Sequence, residues 1–520
     1  MTRTEAEDTG PAAAARPNDD RTRLATLGAV PLIGLAVLFT LALRMPFLTQ
    51  PLVPDEAGML LIAQTWPEGG PDSPYLYGDY FVGRGLLVVG FYALGDLVGG
   101  ALGVRLLACV VAALTVVAAG WAGHQLRGRS GAGWAALVAA SYSSTYAFSS
   151  EVMNERLLGA ALVAGSAAFT LASVRRRGAV LPAAAAGVLA TAPLLVVQSY
   201  ADGLAFAGAL LVAAAVVGTL TVRESLRVAL GGLLGMGLVA LAVTALLATT
   251  WMTASQLWFQ MLGYRVDASL VVDNSTDRPT IRLQLLVLLA LLTGVLLLLV
   301  AFGAAARRLW RTPELKVVWV GVTAMLVMST AGIVAGGDYW RDYLLQPLPA
   351  FALAAALVAP SPGRPGRAMR VAGRLAAFSA VAAILVGLFK PVLGTPAEET
   401  ATGRWVAAAA EPGDTAIVLY GKANVLHSAG LRGPYPFMWS LLLRTLDPDL
   451  DLMVDTLEGP RAPTWVVQWH DLDSWGLDSE DRLQDVLDER YLPVGQVCER
   501  NVYLLRGETR DLRPTPDCPS

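Results

Sequence analysis

Long apolar runs recur between residues 24 and 390 of this 520-residue chain. A helix that crosses about 30 Å of hydrocarbon needs roughly 20 mainly apolar residues, and each run is close to that length. We therefore predict an all-α polytopic membrane protein with about eleven transmembrane helices. The predicted spans are Leu24–Leu43, Ala101–Gly123, Gly131–Phe148, Leu157–Val174, Val180–Gln198, Gly203–Val222, Leu226–Thr249, Leu283–Phe302, Leu315–Val334, Tyr343–Ala359 and Val371–Lys390.

The distribution of charge predicts the topology. One further apolar run, Phe81–Val98, contains Arg84 and is bracketed by Asp79 and Asp96. If this run does not span, the arginine-rich loops fall on one side of the membrane and most loop carboxylates on the other. Cytoplasmic loops carry an excess of Lys and Arg, so the N-terminus is predicted inside and the run along the outer interface. In the alternative of twelve spans, the run crosses and every later basic loop moves outside.

Composition divides the chain into three parts. Residues 1–23 are polar and rich in Ala and Pro, and we predict a disordered cytoplasmic tail there. Residues 24–392 form the predicted transmembrane domain, with a first outer loop at 44–100. Beyond it, apolar runs shorten and strand-like stretches alternate with Gly, Pro and Asp turns, so residues 393–520 are predicted to be a soluble extracytoplasmic α/β domain.

The cysteines and histidines are few and scattered. Cys498 and Cys518 lie near the C-terminus, where an external location permits a disulfide, although two free thiols fit the sequence equally well. The chain has three histidines and no CxxC motif, so no dedicated zinc site is predicted. The net charge of −3 also excludes a nucleic-acid binder that relies on a strongly basic surface.

The stretch after the first run carries the most informative acids. Asp55 and Glu56 follow Pro54 and lead into an amphipathic segment, predicted to be helical to about Trp66. A carboxylate fixed at the membrane surface is placed where a general base for an acceptor hydroxyl is needed. The alternative is that Asp55 only caps the helix and that Glu56 is favoured by the positive end of the helix dipole.

A second acidic group, Glu151 and Glu155, lies on the same outer side between the third and fourth predicted spans. Their i,i+4 spacing puts both on one face if the segment is helical. Ionisable groups at the mouth of a span are often functional. The alternative is that Glu155, next to Arg156, is a solvated helix end.

Arginines outside the predicted spans are candidates for binding an anion. Arg84 lies between two glycines, and Arg341 follows Tyr339 and Trp340. The planar guanidinium makes two parallel charge-assisted bonds to a phosphate, so Arg84 and Arg341, the latter with the nearby Tyr339, are predicted to bind an anion such as a lipid phosphate. The alternative is interfacial anchoring within an aromatic belt. The long outer loop Trp251–Arg282 adds three further arginines that could cover a site on this side: Arg265, Arg278 and Arg282.

In their order and common side, these motifs resemble those of the GT-C superfamily of integral-membrane glycosyltransferases. More narrowly, they resemble the protein O-mannosyltransferase and aminoarabinose-transferase branch of actinobacterial type. The resemblance covers most of residues 24–359. It rests on Pro54-Asp-Glu-Ala57, on the stretch from Tyr75 to Arg84, on Arg105-Leu106, on Glu151-Val-Met-Asn-Glu155, and on the stretch from Gly336 to Pro349.

The resemblance implies an inverting glycosyltransferase that moves a sugar from a polyprenyl-phosphate-linked donor to an acceptor hydroxyl on the outer face of the cytoplasmic membrane. The family's proposed base matches Asp55, with Glu56 as its neighbour, and the second acidic group matches Glu151 or Glu155. Arg84 is the nearest match to a basic residue that contacts the donor phosphate, although Gly-Arg-Gly stands where the family has Lys-Pro-Pro.

The resemblance also implies the partners: a polyprenyl-phosphate-linked sugar, a hydroxyl-bearing protein, lipid or cell-wall glycan, and the bilayer. No cofactor is required, although the two carboxylate groups leave room for a divalent cation. One alternative is a transporter or flippase for a lipid-linked sugar, whose charged groups line a path at mid-membrane depth. Another is an O-antigen-type ligase or polymerase, whose key residues usually lie in a late loop. The sequence names neither the sugar nor the acceptor.

Overall fold

The fold is described from a computed structural model, for residues 19–273, 278–389 and 397–518. Its helices are α1 Asp19–Arg44, α2 Pro54–Thr65, α3 Leu86–Tyr142, α4 Glu155–Arg175, α5 Val180–Thr191, α6 Asp202–Val217, α7 Val222–Thr249, α8 Ala254–Trp258, α9 Tyr264–Asp273, α10 Arg278–Leu292, α11 Val295–Leu309, α12 Pro313–Gly336, α13 Leu348–Val358, α14 Arg364–Phe389, α15 Ala397–Ala409, α16 Ala423–Ala429, α17 Ser440–Leu446, α18 Asp451–Glu458 and α19 Arg482–Arg490. Its strands are β1 Ala416–Leu419, β2 Trp465–Gln468, β3 Tyr491–Val497 and β4 Arg500–Leu505.

The helical part has the character of a membrane domain. Among the described residues, 6 helices are long and apolar enough to cross a membrane, and α10 with α11, bent by 67°, make a further one if they form a single span. Shorter apolar helices also lie at Val180–Leu195, Asp202–Val217 and Leu348–Val358. The predicted multi-pass membrane class is therefore confirmed, whereas the count of about eleven spans stays a prediction.

Helix α3 folds back on itself. Its path breaks at Gly99–Gly100 and again at Arg127–Gly128, where the backbone leaves helical geometry. A Cβ on Gly103 would lie 2.1 Å from the carbonyl oxygen of Gly95, so only glycine lets the two arms approach this closely. The run Phe81–Val98 is thus helical from Leu86 onward, and it packs against the part of α3 that follows Gly100. Its position along the membrane interface stays a prediction.

The first two helices begin near the predicted boundaries. Helix α1 begins at Asp19, within the predicted tail, of which residues 1–18 lie outside the described residues. The first outer loop contains α2, which packs against both α3 and the C-terminal domain. This loop is therefore the layer between the apolar helices and the C-terminal domain.

The C-terminal domain is built on a small mixed sheet. The strand order is β1-β2-β4-β3, with β1 and β2 parallel and the other pairs antiparallel. Val466 and Val502 are fully buried in this sheet, as expected of β-branched residues in strands covered by other elements. The sheet with its helices agrees with the predicted α/β class. Cys498 and Cys518 form a disulfide, which is one of the two alternatives that the sequence left open.

The C-terminal domain is tied to the loop between α1 and α3 by hydrogen bonds. The Tyr80 hydroxyl donates to the carbonyl oxygen of Gly433 at 2.9 Å and accepts from the Gly433 amide at 2.9 Å. The Phe81 amide donates to the carbonyl oxygen of Pro436 at 3.3 Å. Glu68 and Arg432 form a salt bridge near the same contact. These contacts place residues 433–439 directly over the loop that carries the predicted base.

Candidate active site

Asp55 lies in the first turn of α2, at the end of the apolar helices that meets the C-terminal domain. Pro54 supplies the first helical residue, where its fixed φ suits a helix start and its missing N–H costs nothing. The Asp55 side chain is solvent-exposed, and the space bordered by Arg84, Glu155, Asp342 and Trp439, the groups that act on it, is called the recess below. The indole Nε1–H of Trp439 donates a hydrogen bond to Asp55 Oδ1 at 2.8 Å. The predicted base therefore faces solvent with one oxygen held.

The pKa of Asp55 is raised from its ordinary value. The largest cause is the protein that surrounds the carboxyl, followed by the negative charge of Glu155, while Arg84 and the Trp439 hydrogen bond act in the opposite direction. A raised pKa makes the carboxylate a stronger proton acceptor than a free aspartate. Asp55 thus has the exposure and the electrostatic surroundings that a general base requires.

Glu56 is placed quite differently from its neighbour. Its side chain is 0% exposed and pairs with Arg105, which is 3% exposed, at 2.8 Å. Its oxygens also accept hydrogen bonds from the Met153 amide at 2.9 Å and the Val53 amide at 3.4 Å. Glu56 therefore points away from the recess, and it joins α2 to α3 and to the loop before α4.

Arg84 and Glu155 form a salt bridge of 3.1 Å beside Asp55. Asn154 ends the preceding loop, and its side chain accepts the Arg156 amide at 2.8 Å, so α4 begins at Glu155. Burial acts to lower the pKa of Arg84, but Glu155 and then Asp55 outweigh it and raise the pKa. The structure thus brings together Asp55, Arg84 and Glu155 from three separate segments.

Arg156 and Asp342 brace the far side of this group. Their side chains form a salt bridge of 3.1 Å, and the Arg156 guanidinium lies 3.7 Å from the ring centroid of Tyr343. Arg156 also donates to Gln346 Oε1 at 3.2 Å. These contacts join α4 to the 3₁₀ turn Arg341–Leu345, and they fix the start of α4 on which Glu155 lies.

Arg265 is a second arginine close to Arg84. It lies in α9, and its Nη2 donates to the carbonyl oxygen of Gly83 at 3.1 Å. Burial, followed by the positive charge of Arg84, lowers the pKa of Arg265 to about 10. Within the described parts of the chain no carboxylate lies within salt-bridge distance of it. The guanidinium groups of Arg84 and Arg265 therefore lie near each other, and of the two only Arg84 is in a salt bridge within the described residues, with Glu155. The unpaired positive charge favours the binding of an anion. Sequence alone contains no signal that separates Arg265 from the other arginines of its loop.

Glu151, Arg341 and Tyr339 do not join this group. Glu151 is 6% exposed, and burial raises its pKa to about 7 against the opposing charge of Arg341. Arg341 donates to the carbonyl oxygen of Tyr146 at 3.0 Å. Tyr339 is half-buried with a left-handed φ of 51° in the loop after α12. The segment between Glu151 and Glu155 is not helical, so the two acids do not share a helix face.

The carboxylates of the recess already have protein partners. Glu155 and Asp342 are each paired with an arginine, and one oxygen of Asp55 is held by an indole. In the part of the chain that the structure describes, no three His, Cys, Asp or Glu side chains are grouped as metal ligands would be. The charges of the recess are instead balanced by guanidinium groups.

Comparisons with known proteins identify the fold. No protein-family model and no curated protein sequence matches the chain. ArnT from Cupriavidus metallidurans, solved bound to undecaprenyl phosphate, matches with a TM-score of 0.59 and 14% identity over 92% of this chain and 98% of that chain. The Archaeoglobus fulgidus oligosaccharyltransferase, solved with Zn and sulfate, matches with a TM-score of 0.54 and 12% identity over 88% of this chain and 71% of that chain. The same archaeal enzyme, AglB, solved with an inhibitory peptide and a dolichol phosphate, matches with a TM-score of 0.51 and 10% identity over 89% of this chain and 72% of that chain. The predicted resemblance is thereby confirmed at the level of the fold, which this chain shares with ArnT and with the archaeal oligosaccharyltransferase.

Proposed function

We propose that this protein is an inverting glycosyltransferase that uses a polyprenyl-phosphate-linked sugar donor and transfers the sugar to an acceptor hydroxyl. The proposal is supported by the fold, since two of the matching solved structures, ArnT and AglB, hold undecaprenyl phosphate and a dolichol phosphate respectively. It rests above all on one observation, which is the exposed Asp55 carboxylate beside the Arg84–Glu155 ion pair.

Asp55 is the proposed general base. Its Oδ2 takes the proton of the acceptor hydroxyl while that oxygen forms a bond to the anomeric carbon of the donor. The bond between the anomeric carbon and the phosphate oxygen breaks on the opposite face of the sugar, and polyprenyl phosphate leaves with the bonding electrons. The configuration at the anomeric carbon is inverted because attack and departure occur on opposite faces.

Arg84 and Arg265 are the proposed phosphate-binding residues. Arg84 is held by Glu155 and is 29% exposed, so it can reach an incoming phosphate while Glu155 keeps its guanidinium oriented. Arg265 adds a buried positive charge that has no carboxylate of its own within the described residues. Fixed positive charges at the leaving group stabilise the negative charge that develops there in the transition state.

The remaining predicted residues receive supporting roles in this proposal. Glu56 holds α2 through its buried pair with Arg105. Glu151 is buried in the loop before α4, and Arg341 donates to the backbone carbonyl oxygen of Tyr146 in the same loop. Of the two acids that the sequence left undecided, Glu155 is therefore the one proposed to act at the donor phosphate.

The orientation proposed from the sequence is kept. Arginine-rich loops lie in the cytoplasm, whereas α2, the start of α4 and the C-terminal domain lie outside. The proposed location is the cytoplasmic membrane, with the acceptor arriving from the extracytoplasmic side.

The test compares Asp55→Asn with the wild type in detergent. Purified protein is incubated with a labelled polyprenyl-phosphate sugar and a panel of hydroxyl acceptors, and free polyprenyl phosphate and glycosylated acceptor are both measured. We expect Asp55→Asn to lower the transfer rate by about 10²–10⁴-fold while donor binding is retained, as for loss of a general base. Asp79→Asn is the matched control, since Asp79 is an exposed aspartate on the same loop.

The alternatives predict other outcomes. A flippase moves the labelled donor across a vesicle membrane without cleaving the bond to phosphate. Substantial residual transfer by Asp55→Asn would refute the role of Asp55 as the base, even if the wild type is an active transferase.

A further inference from the structure

The C-terminal domain contributes a side chain to the recess. The indole of Trp439 lies just before α17, 384 residues from Asp55 in sequence, and its Nε1–H meets Asp55 Oδ1 at 2.8 Å. No hydrogen bond reaches Asp55 Oδ2 from the described residues, so this oxygen is free to meet an acceptor. The two carboxylate oxygens are therefore distinguished by a residue of a different domain.

We propose that Trp439 is a positioning residue for Asp55, which makes the C-terminal domain part of the catalytic unit. This inference rests on the proposed function, because it assigns Trp439 to the same base. The indole holds Oδ1, fixes the rotamer of the carboxylate and leaves Oδ2 directed at the acceptor hydroxyl. A base that is held in this way needs no reorganisation before proton transfer.

The position of the indole is itself fixed by close packing. A Cβ on Gly58 would lie 2.5 Å from Cζ2 and 2.6 Å from Cη2 of Trp439. Glycine at this position of α2 therefore leaves the space in which the ring lies, one helical turn after Asp55. The backbone bond from Phe81 to Pro436 and the paired bonds of Tyr80 with Gly433 hold the segment before Trp439. The contact is thus an ordered junction between two domains.

The charges around Asp55 define what loss of the indole should do. Arg84 faces the carboxylate from the segment before α3, Glu155 from α4 and Asp342 from the 3₁₀ turn, while Trp439 faces it from the C-terminal domain. Two of these groups are negative and one is positive, so the neutral N–H donor contributes to keeping Asp55 ionised. Removing it should move the ionisation of Asp55 to higher pH by about one unit, as expected for a hydrogen bond to a charged group.

The test uses Trp439→Phe, which removes the N–H and keeps an aromatic ring. The pH dependence of kcat/KM for transfer is measured together with the pH dependence of carbodiimide labelling at Asp55, read by mass spectrometry. We expect the acid limb of the rate profile and the midpoint of labelling both to move upward by about one pH unit, with donor KM unchanged. Trp475→Phe is the control, because Trp475 is an exposed tryptophan of the same domain that packs on Tyr420.

A second variant keeps the proposal testable if Trp439→Phe does not fold. Gly58→Ala leaves the indole chemistry intact but displaces the ring, and it should produce the same upward shift. Unchanged rate and labelling profiles in a folded Trp439→Phe protein would overturn the proposal. The labelling midpoint does not depend on activity, so an inactive wild type would refute the proposed function while the labelling still decides the role of Trp439.

Discussion

The adjacent acids Asp55 and Glu56 should respond in opposite ways to neutralisation. Glu56→Gln removes the negative charge from a pair in which Glu56 is 0% and Arg105 3% exposed. The buried Arg105 guanidinium then loses its negative partner, and it keeps its hydrogen bonds to the backbone carbonyl oxygens of Phe47, Gln50 and Pro51. Removal of one partner from a buried ion pair costs about 3–5 kcal/mol of folding free energy, and Glu56→Gln should lose an amount in this range.

The assay is thermal unfolding of purified protein in one detergent, together with the transfer rate per folded molecule. Glu68→Gln is the matched control, since Glu68 pairs with Arg432 at a contact where the side chains are 57% and 56% exposed, and exposed pairs contribute little. We expect Glu56→Gln to unfold well before Glu68→Gln, with transfer per folded molecule close to that of the wild type. A Glu56→Gln protein that is as stable as the wild type but inactive would refute this reasoning and return Glu56 to the catalytic group.

Three further predictions concern other parts of the molecule. Arg265→Gln should raise the donor KM by about 10–100-fold, the value expected for loss of a charge-assisted hydrogen bond, with little change in acceptor KM. Burial raises the pKa of Glu151 from 4.5 to about 7, so between these pH values the folded protein keeps a proton there that the unfolded chain releases. The free energy of unfolding should therefore fall by roughly 3 kcal/mol as pH rises through this window. Unfolding of Glu151→Gln measured against pH should lack that fall, and an unaltered slope would contradict the assignment. Cys518→Ser should lower the unfolding temperature of the C-terminal domain, since it opens a loop with a separation of 20 residues, and it should leave the transfer rate unchanged.

The fold was largely predictable because apolar spans are a local signal. A run of roughly 20 apolar residues identifies a membrane helix without knowledge of its neighbours. Pro54 followed by Asp55 likewise marks the start of α2, and the start is observed there. The bend of α10 against α11 was not predictable in the same way, because Gly294, with a φ of 83°, divides a run that reads as one span.

The partners of the site residues depended on contacts that are distant in sequence. Asp55 and Glu56 look equivalent in the sequence, yet helix geometry directs one to the recess and the other to Arg105. Glu151 and Glu155 looked like one helical pair, but Asn154 begins α4 after Glu151, so only Glu155 reaches Arg84. Trp439 lies hundreds of residues from Asp55, and no local pattern marks it as part of the site.

Arg44 and Arg105 hold the two site loops through the main chain. Arg44 donates to the carbonyl oxygens of Ser143, Ser150 and Val152, and Arg105 to those of residues 47, 50 and 51. Every residue has a backbone carbonyl oxygen, whatever its side chain. A substitution therefore affects these bonds only if it changes the backbone conformation. The shape of these loops is therefore tolerant of substitution along most of their length. For the proposed glycosyltransferase, a scaffold anchored in this way allows loop side chains to change with the sugar or the acceptor while Asp55, Arg84 and Arg265 stay in place.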